Sequence, residues 1–181
     1  MKNTMLKMIG MMGLALLMVT FYAQTSVSAQ DIAEEDATDE KLQKEDSLTW
    51  RNNARKLEGV WNLTVTRLDC QTGAVLGSGP SISTFARGGT MHDFGSGRPP
   101  SIRSAGYGVW SYHSNRRFSD AFQFFIFNTD GTLAGRQIIR EQIQLSRDGN
   151  SLSINAASQI LDVNGNVTAN RCSSAVGTRF E

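Results

Sequence analysis

The chain predicts an all-β protein, an eight-stranded antiparallel up-and-down barrel, and three observations carry that expectation. From about residue 57 onward, apolar, β-rich runs are punctuated by glycine turns at nearly even spacing. Several of the runs alternate apolar and polar side chains with a period of two, the signature of a strand with one dry and one wet face. The only two cysteines, Cys70 and Cys172, fall in or beside the first and last runs. The turns are Arg87-Gly88-Gly89, Asn128-Thr129-Asp130-Gly131, Arg147-Asp148-Gly149-Asn150 and Asn164-Gly165-Asn166, built from residues that accept the positive φ of tight hairpins. A meander of this size closes on itself to remove its edges.

Strands are placed at about 58–69, 79–87, 90–94, 107–114, 118–128, 133–146, 151–162 and 166–180. In the first, Trp61, Leu63 and Val65 share one face and Asn62, Thr64 and Thr66 the other. The short second and third flank the Arg87-Gly88-Gly89 turn. The fourth sets Trp110 and Tyr112 against Ser111 and His113. The fifth is apolar on both faces, with Phe122, Phe124 and Ile126 alternating with Phe125 and Phe127. Its outer phenylalanines are covered by the N-terminal leader or the 95–106 loop, or else meet a partner, which gives a homodimer through Phe125 and Phe127. The sixth turns Gln137, Ile139, Glu141, Ile143 and Leu145 inward, making Glu141 a carboxylate inside the barrel. Such a group needs a partner or a proton, and both a salt bridge at the mouth and a ligand-binding role are open to it. The seventh sets Leu152, Ile154, Ala156 and Ile160 against Ser151, Ser153, Asn155 and Gln159, and the eighth returns to the first.

Residues 1–29 read as a signal peptide: Lys2 and Lys7, an apolar stretch from Met8 to Tyr22, then Val27-Ser28-Ala29, with cleavage after Ala29. The stretch is short for a membrane span and lacks a basic stop-transfer segment, so no integral membrane association is expected. Gln30, not Cys, follows the site, which argues against a lipid anchor. The protein is expected to be secreted or periplasmic. Residues 30–56 form an acidic leader, flexible or loosely helical; its first 17 residues carry a net charge of −6 against +5 from residue 47 onward. Residues 57–181 form the barrel domain.

An oxidising compartment favours a Cys70–Cys172 disulfide over two buried free thiols. If the two face each other on the antiparallel first and last strands, Leu63 stands opposite Arg179 and Trp61 opposite Glu181. The bridge then closes nearly the whole barrel into a covalent ring, worth about 4 kcal/mol in the chain-entropy model.

Other motifs carry little. His92-Asp93 and His113 hold the only histidines, and no metal-ligand spacing joins them, so neither a metal nor a cofactor is expected. Asp93-Phe94-Gly95 and Gly106-x-Gly108 copy nucleotide-site fragments without the helix those sites require. Arg98, Arg103, Arg116 and Arg117 lie in or beside two loops, either as solvated charge or as a site for an anionic ligand. No aromatic–basic interleaving suggests nucleic acid.

Gly59-Val60-Trp61 at the opening of the first strand, with Arg179 near the end of the last, resembles the G-x-W and closing-arginine pair of the lipocalins and wider calycin barrels. The resemblance covers about residues 57–181 and implies that Gly59, Trp61 and Arg179 close one end of the barrel, the arginine packing across the indole. The chain has no Thr-Asp-x-x-Arg-type second motif, which keeps the allene-oxide-cyclase-like barrel as an alternative. The stretches Thr84–Thr90, Arg103–Trp110 and Asp162–Asn166 and the Gly177–Glu181 ending also resemble a group of small exported bacterial proteins, a likeness that implies no function.

The reading is an exported lipocalin-like barrel that binds a small, partly apolar and anionic ligand. Trp110, Tyr112, Phe122, Phe124, Ile139, Ile143 and Ile154 are expected to line its pocket, with Glu141, Arg98 and Arg103 as polar groups. Two alternatives stand beside it: a packed barrel acting as an envelope or protein-interaction module, and an isomerase or cyclase using Glu141 as base. The sequence does not decide whether the barrel is an enzyme, and a non-catalytic binder is the expectation.

Overall fold

In the computed structural model, which describes residues 48–99 and 102–180, eight strands close into a barrel in chain order. They are β1 (Gly59–Leu68), β2 (Val75–Phe85), β3 (Thr90–Gly95), β4 (Gly106–Ser114), β5 (Arg117–Phe127), β6 (Leu133–Leu145), β7 (Ser151–Leu161) and β8 (Val167–Arg179). Each pairs antiparallel with its neighbours, and β8 pairs back onto β1, so no edge is left open. The signal peptide, the cleavage after Ala29 and the leader as far as residue 47 lie outside the described residues.

The predicted faces carry through. Trp61 and Leu63 on β1, Phe122, Phe124 and Ile126 on β5, and Leu152 and Ile154 on β7 are buried, while Asn62, Thr64, Ser151 and Ser153 are exposed. One hairpin escaped the glycine pattern. Asn115 and Arg116, at φ 47° and 61°, form the two-residue loop between β4 and β5, the left-handed pair that a type I′ turn requires. An arginine there costs about 1 kcal/mol. The turn is held by the Leu145 amide, which donates to the Arg116 carbonyl at 2.9 Å.

The β1–β8 register differs from the expected one by two residues. Trp61 stands opposite Arg179, not Glu181, and Leu68 opposite Cys172. Because the shift is even, every side chain keeps its face. The disulfide forms nonetheless, with 5.2 Å between Cα atoms, inside the range that disulfides accept. Cys70 lies past the last paired residue of β1 and reaches Cys172 diagonally, so direct opposition was not needed.

The core extends N-terminal to the strands. A short helix at 48–54 leads into Leu57, which is fully buried, and Ala54 is buried with it. Trp50 meets Tyr112 edge-on at 6.0 Å between ring centroids. This segment lies over the barrel end that carries the turns at 86–89, 115–116 and 146–150, hereafter the closed end. The opposite end carries the longer β3–β4 connection and the disulfide. Of the outer phenylalanines, Phe125 is 48 % exposed. The 95–106 loop does reach Phe125, but only its backbone: the Ser104 amide donates to the Phe125 carbonyl and the Phe125 amide to Ser104 Oγ, each at 3.0 Å. The loop therefore leaves the ring uncovered.

Candidate functional site

The two ends of the barrel are filled differently, and side-chain size decides how. At the closed end the inward positions hold Trp61, Phe85, Met91, Trp110, Phe118 and Leu145, all buried against one another. Toward the other end they hold Gly79, Ser81, Ser83, Gly95, Ser158 and Ser173, too small to meet across the barrel. The result is a cavity of about 510 Å³, within the range of small-molecule sites and open at its mouth. A shallower depression of about 250 Å³ lies outside the closed end, between Lys56, Asp148 and Arg179.

Of the predicted site residues, Phe122, Phe124, Ile139, Glu141, Arg98 and Arg103 line the cavity. Trp110, Tyr112, Ile143 and Ile154 do not. They belong to the packed closed end: the Trp110 indole N–H donates to the Ala86 carbonyl at 3.0 Å, Tyr112 stacks on Phe118 at 5.1 Å, and Ile143 and Ile154 are 2 % exposed each. Alternation tells which face a residue takes; it does not tell how high along the barrel axis that residue sits.

Arg103 occupies the interior as a structural ion. Its Nη2 donates to Asp93 Oδ1 at 2.8 Å, Nη1 to the Gly95 carbonyl at 3.1 Å and Nε to the Ser104 carbonyl at 3.0 Å. Its guanidinium lies 3.9 Å from the Phe124 ring centroid, and Ser81 Oγ donates to Asp93 Oδ2 at 2.6 Å. A buried ion pair holds only when further contacts support it, and here three of the five guanidinium N–H groups and both Asp93 oxygens are engaged. The charge of Arg103 is thus largely balanced by Asp93. The free cations at the mouth are Arg98, Arg67 and Arg171, which line the cavity and make no ion pair among the described residues.

Asp93 drew attention in the sequence only beside His92 and in the Asp93-Phe94-Gly95 fragment, not as a partner of Arg103, and Asp120 was not singled out at all. Asp120 shares the inward face of β5 with Phe118, Phe122 and Phe124, a parity visible in the sequence but masked by the surrounding phenylalanines. It stands directly opposite Glu141 across the β5–β6 ladder, is buried, and neither of its carboxylate oxygens has a hydrogen-bond partner. Burial pushes Asp120 up to about 7; its neighbour Glu141 acts in the lowering direction, and the charge of Asp93 adds to the rise. Burial also holds Glu141 well above the usual carboxylate range, followed by the charges of Asp120 and Asp93. The two make no hydrogen bond in this geometry; as two carboxylates they could only accept, so a bond between them requires that one hold a proton. Glu141 lines the cavity, so its residual exposure faces that space.

The histidines lie elsewhere. His92 packs edge-on against Tyr107 outside the barrel, and His113 bonds Ser119 on the exposed face. No cluster of three His, Cys, Asp or Glu side chains suited to a metal ion occurs among the described residues. Gly106 and Gly108, the fragment that mimics a phosphate loop, face inward on β4 under Phe122: a Cβ at Gly106 would lie 2.9 Å from that ring. They make room for a phenylalanine, not for a phosphate.

At the closed end, the Arg179 guanidinium lies 4.4 Å from the Trp61 ring, and the Trp61 indole N–H donates to the Leu57 carbonyl at 2.9 Å. Gly59, at φ 126°, leaves the space that Arg179 occupies: a Cβ there would meet Nη1 at 2.8 Å.

The fold and site together define a closed eight-stranded antiparallel up-and-down β-barrel, packed at one end and hollow at the other. No protein-family model and no curated protein matches this chain. Among solved structures it is similar to Rv2717c from M. tuberculosis, at 13 % sequence identity and a TM-score of 0.35, over 70 % of this chain and 94 % of that one. No helix among the described residues is long and apolar enough to cross a membrane.

Proposed function

We propose that this protein is an exported, lipocalin-like barrel that holds a small, partly apolar ligand in its open-ended cavity. The observation that supports it best is the cavity itself: about 510 Å³ of space walled by Phe122, Phe124 and Ile139 and rimmed by Arg67, Arg98 and Arg171. A barrel kept only as a rigid body has no reason to place glycine and serine at so many inward positions of one end, since eight strands can be filled by their own side chains. The arginines favour an anionic group at the mouth, where guanidinium forks match carboxylate or phosphate. Export suits the Cys70–Cys172 disulfide.

Native mass spectrometry of the mature protein from its host envelope tests the proposal. The expected result is a reproducible added mass, lost in Ile139→Trp, which fills the cavity. Bare protein that also fails to bind an anionic naphthalene dye would overturn it.

The packed interaction module has one observation on its side: Ile82, Phe94 and Phe125 are each about half exposed on the outer wall. A bare dimer in the same spectra, abolished by Phe125→Ser, would favour it.

A further inference from the structure

We infer that Asp120 and Glu141 form a proton-sharing carboxyl pair at the cavity wall, from which Glu141 donates a hydrogen bond to a neutral oxygen of the ligand, so that the ligand is an amphiphile with a ketone, ester or hydroxyl oxygen at its buried end. This rests on the binding function proposed above and names the chemical class that the site takes.

The argument starts from what surrounds the pair. On β4, the register neighbour of Asp120 is Trp110, whose N–H is already held by the Ala86 carbonyl. On β7, the neighbour of Glu141 is Ala156, which offers nothing. The third acid acting on both is Asp93 on β3, and the interior cation, Arg103, is bound to Asp93. Among the described residues, therefore, neither carboxylate has an ion-pair partner. Both oxygens of Asp120 are buried without a partner, a state that costs several kcal/mol if it is charged and lone. The arrangement resolves itself when the pair keeps a proton.

Position decides which member works. Asp120 does not line the cavity, whereas Glu141 does. A protonated Glu141 can turn its O–H to Asp120 when the cavity holds water, or to an acceptor when a ligand is seated. A carboxylate on the ligand would be repelled here by the nearby acids and drawn to the mouth arginines. The ligand is thereby oriented, anion outward and neutral acceptor inward. A carboxyl in this state is also an acid, which leaves little place for Glu141 as a catalytic base.

The test uses the full mature chain with its disulfide intact. Two fluorophores serve as probes, 6-propionyl-2-(dimethylamino)naphthalene and 6-propyl-2-(dimethylamino)naphthalene, which differ only in the ketone oxygen. At pH about 5.5 the ketone is expected to bind about five- to tenfold more tightly than its partner, the worth of one buried hydrogen bond. It should lose that margin above the titration of the pair. Glu141→Gln keeps a donor and should retain the margin without pH dependence; Glu141→Leu should erase it. Infrared spectra add a readout that needs no ligand: a protonated-carboxyl C=O band near neutral pH, changed in position or intensity by Glu141→Gln and lost in the double variant Asp120→Asn, Glu141→Gln. Equal binding of the two probes at every pH, or a pH step that survives in Glu141→Gln, would overturn the inference, as would absence of the band. Failure of both probes to bind, with the band present, would instead sink the binding function and the ligand class with it.

Discussion

The Arg179 guanidinium lies over the indole of Trp61 at 4.4 Å while its nitrogens donate to the carbonyls of Lys56, Glu58 and Gly149, at 2.8, 2.7 and 3.1 Å. One side chain thus joins the first strand, the segment before it and the β6–β7 turn. The planar fork is what allows stacking and donation at once.

Truncation of this cluster gives the first prediction. Trp61→Ala should cost about 3–5 kcal/mol in denaturant unfolding, the usual range for a buried aromatic. Arg179→Lys keeps the charge but loses the fork, and should cost about 1–3 kcal/mol. Unchanged midpoints in both would show that the closed end does not depend on them.

Arg103→Met should be among the most damaging single changes, about 3–5 kcal/mol, because it leaves Asp93 as a lone buried carboxylate. The double variant Arg103→Met, Asp93→Leu should recover much of that loss. If the double is as unstable as the sum of the singles, the two side chains act separately and the pair is not the cause.

Stability should depend on pH with opposite signs at the two ends of the scale. Asp120 rises from an ordinary 3.8 to about 7, so its share of stability is full below the unfolded value and is lost as pH climbs through the folded one. Glu141, also raised, adds to the loss on the same side. Each proton retained by the fold corresponds to a slope of about 1.4 kcal/mol per pH unit over that window. Asp69, Asp130, Asp148 and Asp162 shift the other way, held low mainly by hydrogen bonds within their own turns. Their contribution is present above the unfolded value and is lost as pH falls through the folded one. Thermal melts should therefore show a maximum on the acid side of neutrality, and Asp120→Asn should flatten the alkaline limb. A wild-type curve that rises from pH about 5 to 8 would contradict the assignment.

Reduction of Cys70–Cys172, or the double change to serine, should cost about 2–5 kcal/mol. The effect should be largest at the mouth: hydrogen exchange is expected to quicken more in the paired stretches near Leu68 and Cys172 than near Trp61. Uniform quickening would mean that the bridge stabilises the barrel as a whole.

How much of this was legible in the sequence follows from what periodicity encodes. Alternation placed Trp61, Phe122, Phe124 and Glu141 on the inner wall, because the strand repeat assigns faces directly. Axial height depends on strand stagger, which neighbouring residues do not report, and so Trp110 and Ile143 were grouped with a cavity that lies beyond them. The hollow end did leave a trace in the inward glycines and serines of β2, at Gly79, Ser81 and Ser83. Asp120 was hidden by its phenylalanine neighbours. Arg103 looked like loop charge because nothing local shows a loop side chain turning into a barrel. The Asn115-Arg116 turn carries no glycine and gave no signal of its own.

The seam between β1 and β8 is the one junction in the barrel that no hairpin joins, and it is fastened at both extremities, by Trp61 and Arg179 below and by Cys70–Cys172 above. A barrel so fastened resists parting of its staves at that seam. On the binding function proposed above, the way in is the axis, by the open end beside the disulfide.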